Sequence, residues 1–361
     1  MKIVICGLSI TSSWGNGHAT TYRALARALH ARGDQITFFE RDQEWYGSNR
    51  DMPDPAFCRT VVYANWREAA LQVRREFDDC DVAMVGSYCP DGLAAIETML
   101  QSNASVKTFY DIDTPITMAK LQADDAEYLK REQVPGFDIY FSFTGGPMLQ
   151  SLERQFGARL ALPLYCSFEP QSSLNKSRSY ICDLSYMGTY AADRQQKLDE
   201  LLCKPAARLP HKKFRVAGPQ YPTSLKWPAN VERLIHLEPK LHAAFYTSSR
   251  LSLNITRQLM IEAGYSPSVR LFEAAGYGAT IVSDYWPGLE TFFTPGEEIL
   301  IARRADDVAA YIEGLGESDL QRISRNAQER VLAQHSAAAR AAEFEKYVTE
   351  AVRIRPVAAA L

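Results

Sequence analysis

The chain alternates, in both of its halves, between short apolar runs and amphipathic segments. The first run, KIVICGL at residues 2–8, is continuous and ends in turn residues, as expected for a strand buried on both faces of a parallel sheet. Residues 18–32 repeat apolar side chains on one helical face and stop at Gly33. Strands that alternate with helices in this way predict β-α-β units and an open, doubly wound α/β sheet.

The other predicted elements form two such series. The first series has strands at 35–40, 81–87, 106–112 and 137–142, with helices from about 90, near 120–133 and from about 146. The second series has strands at 182–188, 213–218, 231–237, 251–255, 279–284 and 297–302, with helices near 193–203 and 240–249, one after Gly264, and helices over about 305–355.

The length of 361 residues exceeds one ordinary core and favours two domains. We predict a first Rossmann-like domain over 1–168, a polar linker over 169–180, and a second Rossmann-like domain over 181–335. Residues 336–361 are predicted to form a C-terminal helix that is free to pack back on the first domain. Doubly wound domains bind ligands beyond the carboxyl ends of their strands, so a facing pair predicts a site in the cleft between them.

Charge and cysteine content exclude several classes of protein. With 43 acidic and 40 basic residues the net charge is -3, so there is no basic field for nucleic acid or an anionic membrane. The apolar runs are too short to cross a bilayer. The seven cysteines are scattered without a C-x-x-C pair, which predicts a reducing, cytoplasmic location and no zinc site. Oligomeric state is not indicated.

The stretch SPSVRLFEAAGYG has the features of an anion-binding helix start. Ser266 is predicted as the N-cap, with Pro267 in the first helical position, where its missing N–H is harmless. The backbone N–H groups of Ser268, Val269 and Arg270 are then left without helical partners, and together with the helix dipole they favour a phosphate. The alternative is an ordinary capped core helix.

Glu273 lies further along the same predicted helix, among apolar residues. A glutamate in such surroundings needs a partner, and one helix turn beyond a diphosphate it suits the vicinal hydroxyls of a ribose. A structural salt bridge is the alternative. The helix start, the glutamate and the small residues that follow together favour a nucleoside diphosphate as ligand.

The longer stretch SPSVRLFEAAGYGATIVSDYWPGLETFFTPGEEILI, with DLSYMGTYAADRQ and FRVAGPQYP, resembles the C-terminal domain of GT-B glycosyltransferases. In particular it is similar to the spore maturation protein B (CgeB)-like group. The resemblance implies two Rossmann-like domains and transfer of a sugar from a UDP, GDP or dTDP sugar to an acceptor hydroxyl on a glycan, glycoconjugate or small molecule. It also implies that the helix start holds the diphosphate and that Glu273 binds the ribose.

One position departs from the pattern of many retaining members of this fold. They carry a second glutamate eight positions before the one matching Glu273, and here that position is Tyr265. We therefore expect inversion of the anomeric configuration. The sugar, the base and the acceptor stay open.

Further donor contacts are expected at other strand ends of the second series. Gly188, in MGTY, is expected near the diphosphate, with Arg194 as a possible cation. The resemblance implies that RLIHLEP reads the base through backbone groups, which makes Ile235, His236 and Leu237 the candidates. Weaker candidates for the donor pocket are Asn254 and Arg257, and for aromatic stacking, as an alternative to core packing, Tyr246, Tyr285 and Trp286.

The loop SSWGNGHATTYRAL joins the first strand to the first helix. Gly15 and Gly17 allow the backbone to approach a ligand closely. His18 follows at the helix start, where its imidazole can take a proton from an acceptor hydroxyl. GT-B enzymes that invert often have a histidine on this loop, oriented by an aspartate. The alternative is a helix-terminal histidine without a role.

Asp111 and Asp113, in FYDIDTPIT, are candidates to orient His18 or to bind acceptor hydroxyls, with Asp91 as the rival, and we select Asp113 as the catalytic partner. Asp113 is alternatively a cap of the helix that begins TPIT. The D-x-D pattern also resembles the metal signature of the other glycosyltransferase architecture, GT-A, but a diphosphate already placed on a helix start needs no such ion. We therefore expect neither a metal nor a cofactor besides the donor.

Two other functions are compatible with the same fold. A nucleotide-sugar epimerase would turn over the sugar nucleotide without an acceptor. A non-catalytic glycan-binding or coat-assembly protein would bind glycans without affinity for nucleotides.

Overall fold

The computed structural model describes residues 1–170 and 179–354. The chain divides into two compact units: Met1–Ser167 with the residues from Ala337 onward, and Phe168–Ser336. Most of the predicted linker and the last residues of the predicted C-terminal segment, 355–361, lie outside the described residues.

All strands belong to two parallel sheets. The strands are β1 Lys2–Gly7, β2 Gln35–Arg41, β3 Arg59–Tyr63, β4 Val82–Gly86, β5 Val106–Asp111, β6 Ile139–Ser142, β7 Ala161–Pro163, β8 Cys182–Met187, β9 Phe214–Ala217, β10 Val231–Leu234, β11 Ser249–Asn254, β12 Ile281–Ser283 and β13 Leu300–Ile301.

The strands are connected by helices, as the alternating pattern predicts. The helices are α1 Gly17–Ala31, α2 Glu44–Gly47, α3 Trp66–Asp78, α4 Gly92–Leu100, α5 Thr114–Gln122, α6 Pro147–Phe156, α7 Ala192–Leu198, α8 Lys204–Arg208, α9 His242–Thr247, α10 Gln258–Ala263, α11 Val269–Gly276, α12 Ala305–Gly314, α13 Glu317–Gln334 and α14 Ala337–Ile354.

Both sheets have the doubly wound strand order. The first is β3-β2-β1-β4-β5-β6-β7 and the second is β10-β9-β8-β11-β12-β13. The order reverses between β1 and β4 in one sheet and between β8 and β11 in the other, and such switch points are where α/β sheets bind ligands. The central strands are buried on both faces, which explains their uninterrupted apolar sequence.

The C-terminal helix α14 is part of the first unit. Phe344 is fully buried, and its ring centroid lies 5.4 Å from that of Phe141 on β6. Arg32, at the end of α1, forms an ion pair of 2.5 Å with Glu345. Helix α14 therefore covers this sheet together with α1.

Several elements differ from the sequence predictions. Strands β3 and β7 and helices α2, α3 and α10 were not expected. The predicted helix near 120–133 is instead α5, which ends at Gln122, and a separate 3-10 turn over Arg131–Gly136. Among the described residues, none of the helices is long and apolar enough to span a membrane.

Candidate functional site

The second unit contains a cavity at the carboxyl ends of β8 and β9. Its empty space, part of which is open to solvent, is about 660 Å³. The lining residues are Met187, Gly188, Thr189, Ala217, Gly218, Pro219, His236, Leu237, His242, Val269, Arg270 and Glu273. Six of these residues belong to the predicted donor site: Gly188, His236, Leu237, Val269, Arg270 and Glu273.

Helix α11 begins later than predicted. Its N-cap is Ser268 and its first residue is Val269, so the prediction of Ser266 as N-cap and Pro267 in the first position is wrong. The reason is the preceding backbone: Gly264 and Tyr265 have φ of +64° and +47°, and Ser268 is extended. Ser266 is buried and does not line the cavity.

The first turn of α11 nevertheless faces the cavity with unpaired donors. In the described part of the chain, the backbone N–H groups of Val269 and Arg270 have no hydrogen-bond partner. The side chain of Ser268 does not cap the helix. Its hydroxyl donates instead to Asn254 Oδ1 at 3.0 Å.

Two arginines add positive charge near this turn. Arg270 lines the cavity, and its guanidinium lies 5.7 Å from the ring centroid of Tyr186. Arg194 Nη2 donates to the carbonyl of Thr189 at 2.6 Å, and burial lowers the pKa of its guanidinium. The Nε atoms of both arginines are buried without a hydrogen-bond partner among the described residues. Buried donors in this state favour an anionic ligand.

A third arginine, Arg233, was not anticipated. It donates to the carbonyl of Gly218 at 3.0 Å and lies over the rings of Tyr221 and Trp227, at 4.0 and 4.5 Å. Gly218 in turn packs so closely that an added Cβ would lie 2.1 Å from the carbonyl oxygen of Gly188. The sequence signal for this approach was the glycine that ends each of the two segments, MG and AG.

Glu273 lies on the same helix and also lines the cavity. Burial raises the pKa of its carboxyl group to about 7, while the positive charge of Arg270 opposes that rise. The described residues provide no ion pair for Glu273, so the structural salt bridge considered as an alternative is not observed. The Tyr246 hydroxyl lies beside this carboxyl group and also opposes the rise of its pKa, and Glu273 still lines the cavity, where it can contact a ligand.

Of the remaining donor-side candidates, some line the cavity and others lie outside it. His236 and Leu237 line the cavity, whereas Ile235 is 77% exposed and does not. His242 lines the cavity but was missed, although it follows the same loop; burial lowers its pKa. Arg257 lies 3.5 Å from Asp193. Tyr246 and Trp286 are fully buried core residues, and Tyr285 is the exposed member of the aromatic set.

In the first unit, the structure brings together His18 and Asp113. His18 lies in the first turn of α1, which Asn16 caps by accepting from Ala19 N at 2.8 Å. His18 Nε2 is 2.8 Å from Asp113 Oδ2. The other ring nitrogen, Nδ1, is buried and has no hydrogen-bond partner in the described residues. Gly17 is the first residue of α1, with open space around it.

Asp113 occupies the N-cap position of α5 but does not act as a cap. Its side chain makes no hydrogen bond to that helix, so the capping alternative is wrong. The same Oδ2 atom that faces His18 accepts from Ser87 Oγ at 3.1 Å. Ser87 follows β4 and was not anticipated, because an isolated serine at a strand end carries no distinctive pattern.

The two rival aspartates have other partners. Asp111 is fully buried and accepts from Thr117 Oγ1 at 2.7 Å and from Tyr140 OH at 2.6 Å; burial raises its pKa to about 7. Asp91 is 3.1 Å from Arg41 Nη1 and accepts from Tyr63 OH at 3.0 Å. Neither orients His18, so Asp113 is the carboxylate that meets this histidine.

A tyrosine next to this pair was also missed. Tyr88 has a φ of +55°, which is strained for a residue with a large side chain. Its ring stands edge-on to His18 with centroids 6.0 Å apart. As for metals, the described ranges 1–170 and 179–354 hold no group of three or more His, Cys, Asp or Glu residues that could bind an ion.

Part of the chain matches a known family model. Residues 194–346 match the model described as "Glycosyl transferase-like". The match includes the helix α11 and its glutamate. No curated protein matches the chain.

Solved structures show the same fold over almost the whole chain. HepE from Anabaena in complex with UDP has a TM-score of 0.69 at 13% identity, covering 97% of this chain and 100% of that one. Sucrose-phosphate synthase from Thermosynechococcus elongatus has a TM-score of 0.67 at 12% identity, covering 98% and 100%. T4 phage BGT with its UDP-glucose substrate has a TM-score of 0.62 at 12% identity, covering 98% and 100%. The protein thus has the GT-B fold, with two parallel-sheet Rossmann-like domains.

Proposed function

We propose that the protein is a glycosyltransferase that moves a hexosyl group from a nucleoside diphosphate sugar to an acceptor hydroxyl. The observation that carries the proposal is the cavity of the second unit, which is lined by a half-buried glutamate and by two residues at the start of α11 whose backbone N–H groups, with the Nε of Arg270, have no hydrogen-bond partner in the described ranges. HepE and T4 phage BGT are described in complex with UDP and with UDP-glucose. These complexes make UDP-glucose the first donor to test, before GDP and dTDP sugars.

The donor would bind with its diphosphate against the first turn of α11. The N–H groups of Val269 and Arg270 and the Arg270 guanidinium would contact the phosphate oxygens, with Arg194 and Gly188 nearby. The carboxylate of Glu273 would accept hydrogen bonds from the ribose hydroxyls. This arrangement is supported by the placement of Gly188, Val269, Arg270 and Glu273 around one cavity.

The base would bind beside the loop after β10, where His236 and Leu237 line the cavity. Backbone groups of this loop are suited to read a base edge, because their positions are fixed by the fold. Two further residues were predicted to contact the donor. Ser268 would contribute as the N-cap residue of α11, and Ser266 would contribute only as part of the backbone that precedes this helix.

His18 would act as the general base of the transfer. Asp113 accepts a hydrogen bond from the Nε2–H group, which leaves the lone pair on Nδ1 to take the proton of the acceptor hydroxyl. The acceptor oxygen then forms a bond to the anomeric carbon while the bond from that carbon to the diphosphate oxygen breaks. The leaving diphosphate keeps the electron pair and is stabilised by Arg270 and the N–H groups of α11. Because Nδ1 is buried in this structure, the reaction requires that it become accessible to the acceptor.

The finer points of the proposal concern stereochemistry and chemical requirements. Tyr265 supplies a phenol where a second carboxylate would stand, which favours a single displacement with inversion. The proposed reaction uses no metal and no cofactor besides the donor, because cationic side chains and helix N–H groups would stabilise the negative charge of the leaving diphosphate. A CgeB-like subgroup and a cytoplasmic location belong to the proposal; the latter is supported by the seven scattered cysteines, which include no C-x-x-C pair.

The decisive experiment is calorimetry with UDP, GDP and dTDP on the wild-type protein and on Glu273→Gln. We expect one nucleotide to bind and the variant to bind it more weakly. Absence of binding by every nucleotide would refute the donor site. With the donor known, NMR of the glycosylated product determines its anomeric configuration, and retention would refute the single displacement. Turnover of the donor without an acceptor would indicate an epimerase instead.

A further inference from the structure

Ser268 stands in the N-cap position of α11 but leaves its helix uncapped. Its backbone has the extended geometry of an N-cap, with φ of -80° and ψ of 147°. In that geometry a serine oxygen normally accepts from the N–H of the second or third helical residue. Here it makes no such bond, and the hydroxyl donates to Asn254 Oδ1 at 3.0 Å.

The direction of this hydrogen bond is determined by the neighbours of Asn254. Ser283 Oγ donates its single proton to the carbonyl of Asp284 at 2.9 Å. Towards Asn254 it therefore acts as an acceptor, and Asn254 Nδ2 donates to it at 3.0 Å. The amide oxygen of Asn254 is then the atom that faces Ser268, and the serine must be the donor.

The orientation of Asn254 is held by a buried network. Asn254 is 2% exposed and ends β11. Asp284, at the end of β12, accepts from Thr256 Oγ1 at 2.9 Å and from Lys197 Nζ at 2.5 Å. Hydrogen bonds thus connect α7, the ends of β11 and β12, and the start of α11. Because every member is constrained by others, the amide of Asn254 cannot turn without breaking several bonds.

We propose that Asn254 is a positioning residue that holds the Ser268 hydroxyl away from its own helix and so keeps the first turn of α11 open for a diphosphate. The N–H groups of Val269 and Arg270 have no partner in the described residues, and both residues line the cavity. The inference rests on the proposed donor site: Asn254 acts on the donor through Ser268 and does not line the cavity itself.

The expected effect follows from competition between the Ser268 hydroxyl and the phosphate for the backbone N–H group of Arg270. Without Asn254, the Ser268 hydroxyl is free to turn and to accept from the N–H of Arg270, the second residue of α11. An incoming phosphate must then displace this cap. From the usual contribution of an N-cap, diphosphate affinity falls about fivefold.

The experiment is a double-mutant cycle by calorimetry with UDP and with inorganic pyrophosphate. The proteins are wild type, Asn254→Ala, Ser268→Ala and the double variant, with Asn254→Leu as a second variant that keeps the buried volume. Circular dichroism verifies that each variant is folded. We expect Asn254→Ala to bind UDP and pyrophosphate about fivefold more weakly than the wild type. The affinity of the double variant should return to that of Ser268→Ala, because the competing hydroxyl is absent.

The outcomes separate this inference from the proposed function. Unchanged affinity in both Asn254 variants, or a double variant as weak as Asn254→Ala, overturns the role of Asn254 while the donor site stands. Binding of pyrophosphate with the expected pattern but no binding of UDP overturns the nucleotide donor and leaves the role of Asn254 intact. A wild-type protein that binds neither ligand overturns both.

Discussion

His18 Nε2 lies 2.8 Å from Oδ2 of Asp113, although the two residues follow different strands, β1 and β5. Ser87, which follows β4, donates to the same carboxylate oxygen at 3.1 Å. The carboxylate favours the tautomer with the proton on Nε2, so that Nδ1 is the basic nitrogen. The ends of three strands thus contribute to one hydrogen-bonded chain.

Replacing Asp113 by asparagine is expected to reduce the transfer rate and to leave donor binding unchanged. An amide does not stabilise the imidazolium that forms when His18 accepts a proton, so kcat falls about 100-fold or more. The UDP affinity stays at the wild-type value, because the donor cavity lies in the second unit. Steady-state kinetics and calorimetry on the same preparation measure both quantities.

The matched control for this prediction is Asp91→Asn. Asp91 also follows a strand of the first sheet, but its carboxylate contacts Arg41 and Tyr63 rather than His18. We expect this variant to retain its kcat. Full activity in Asp113→Asn, or an equal loss in both variants, would contradict the assigned role of Asp113.

The pH dependence of UDP binding is expected to reflect Glu273. Burial raises the pKa of this carboxyl group to about 7 in the free protein. Ribose hydroxyls donate to the ionised form, so ligand binding favours loss of the proton, and the affinity rises as the pH increases through 7. Glu273→Gln cannot ionise, and its affinity lacks this rise.

The comparison of the two proteins isolates the glutamate. Ionisation of the UDP phosphate and of the other groups that line the cavity contributes to both pH profiles and cancels in their difference. Calorimetry at pH 6, 7 and 8 therefore tests the assignment. Parallel profiles for wild type and Glu273→Gln would show that this carboxyl group does not bind the ribose.

Arg270→Ala is expected to weaken UDP binding about 10- to 100-fold, because hydrogen bonds to a charged group are lost. The UDP affinity of Arg270→Lys should lie between those of the wild type and Arg270→Ala, since a lysine keeps the positive charge but lacks the planar guanidinium group. The control is Arg303→Ala, an arginine of the same unit that lies over Tyr285 and does not line the cavity. If uridine binding declined as much as UDP binding, Arg270 would not be a phosphate contact.

Phe344→Ala tests the place of α14 in the first unit. Its ring is fully buried against Phe141, so truncation is expected to lower the free energy of unfolding of this unit by about 3–5 kcal/mol. Guanidinium unfolding measures the change, and UDP affinity under native conditions should not move. Val352, half exposed on the same helix, provides the control: Val352→Ala should change stability by less than about 0.5 kcal/mol. A similar small effect of Phe344→Ala would contradict this packing.

Whether a strand could be predicted from the sequence depended on how deeply that strand is buried in its sheet. Strands such as β1 and β4 are buried on both faces and show as apolar runs. Strand β3 lies at the edge of its sheet and only its last residue, Tyr63, is buried, so its short apolar signal was missed. The same holds for β7 at the other edge, whose three residues are too short to show a period.

By itself, the sequence determined the alternating architecture and the presence of a helix with a glutamate after Gly264, because these depend on residues close together in the chain. Tertiary structure alone decided that Asp113, rather than Asp111 or Asp91, meets His18. It also decided that α11 begins at Val269 and that Asn254 takes the Ser268 hydroxyl. The physical reason is that such pairings depend on which strand ends the sheet order makes neighbours, and local periodicity carries no record of that order.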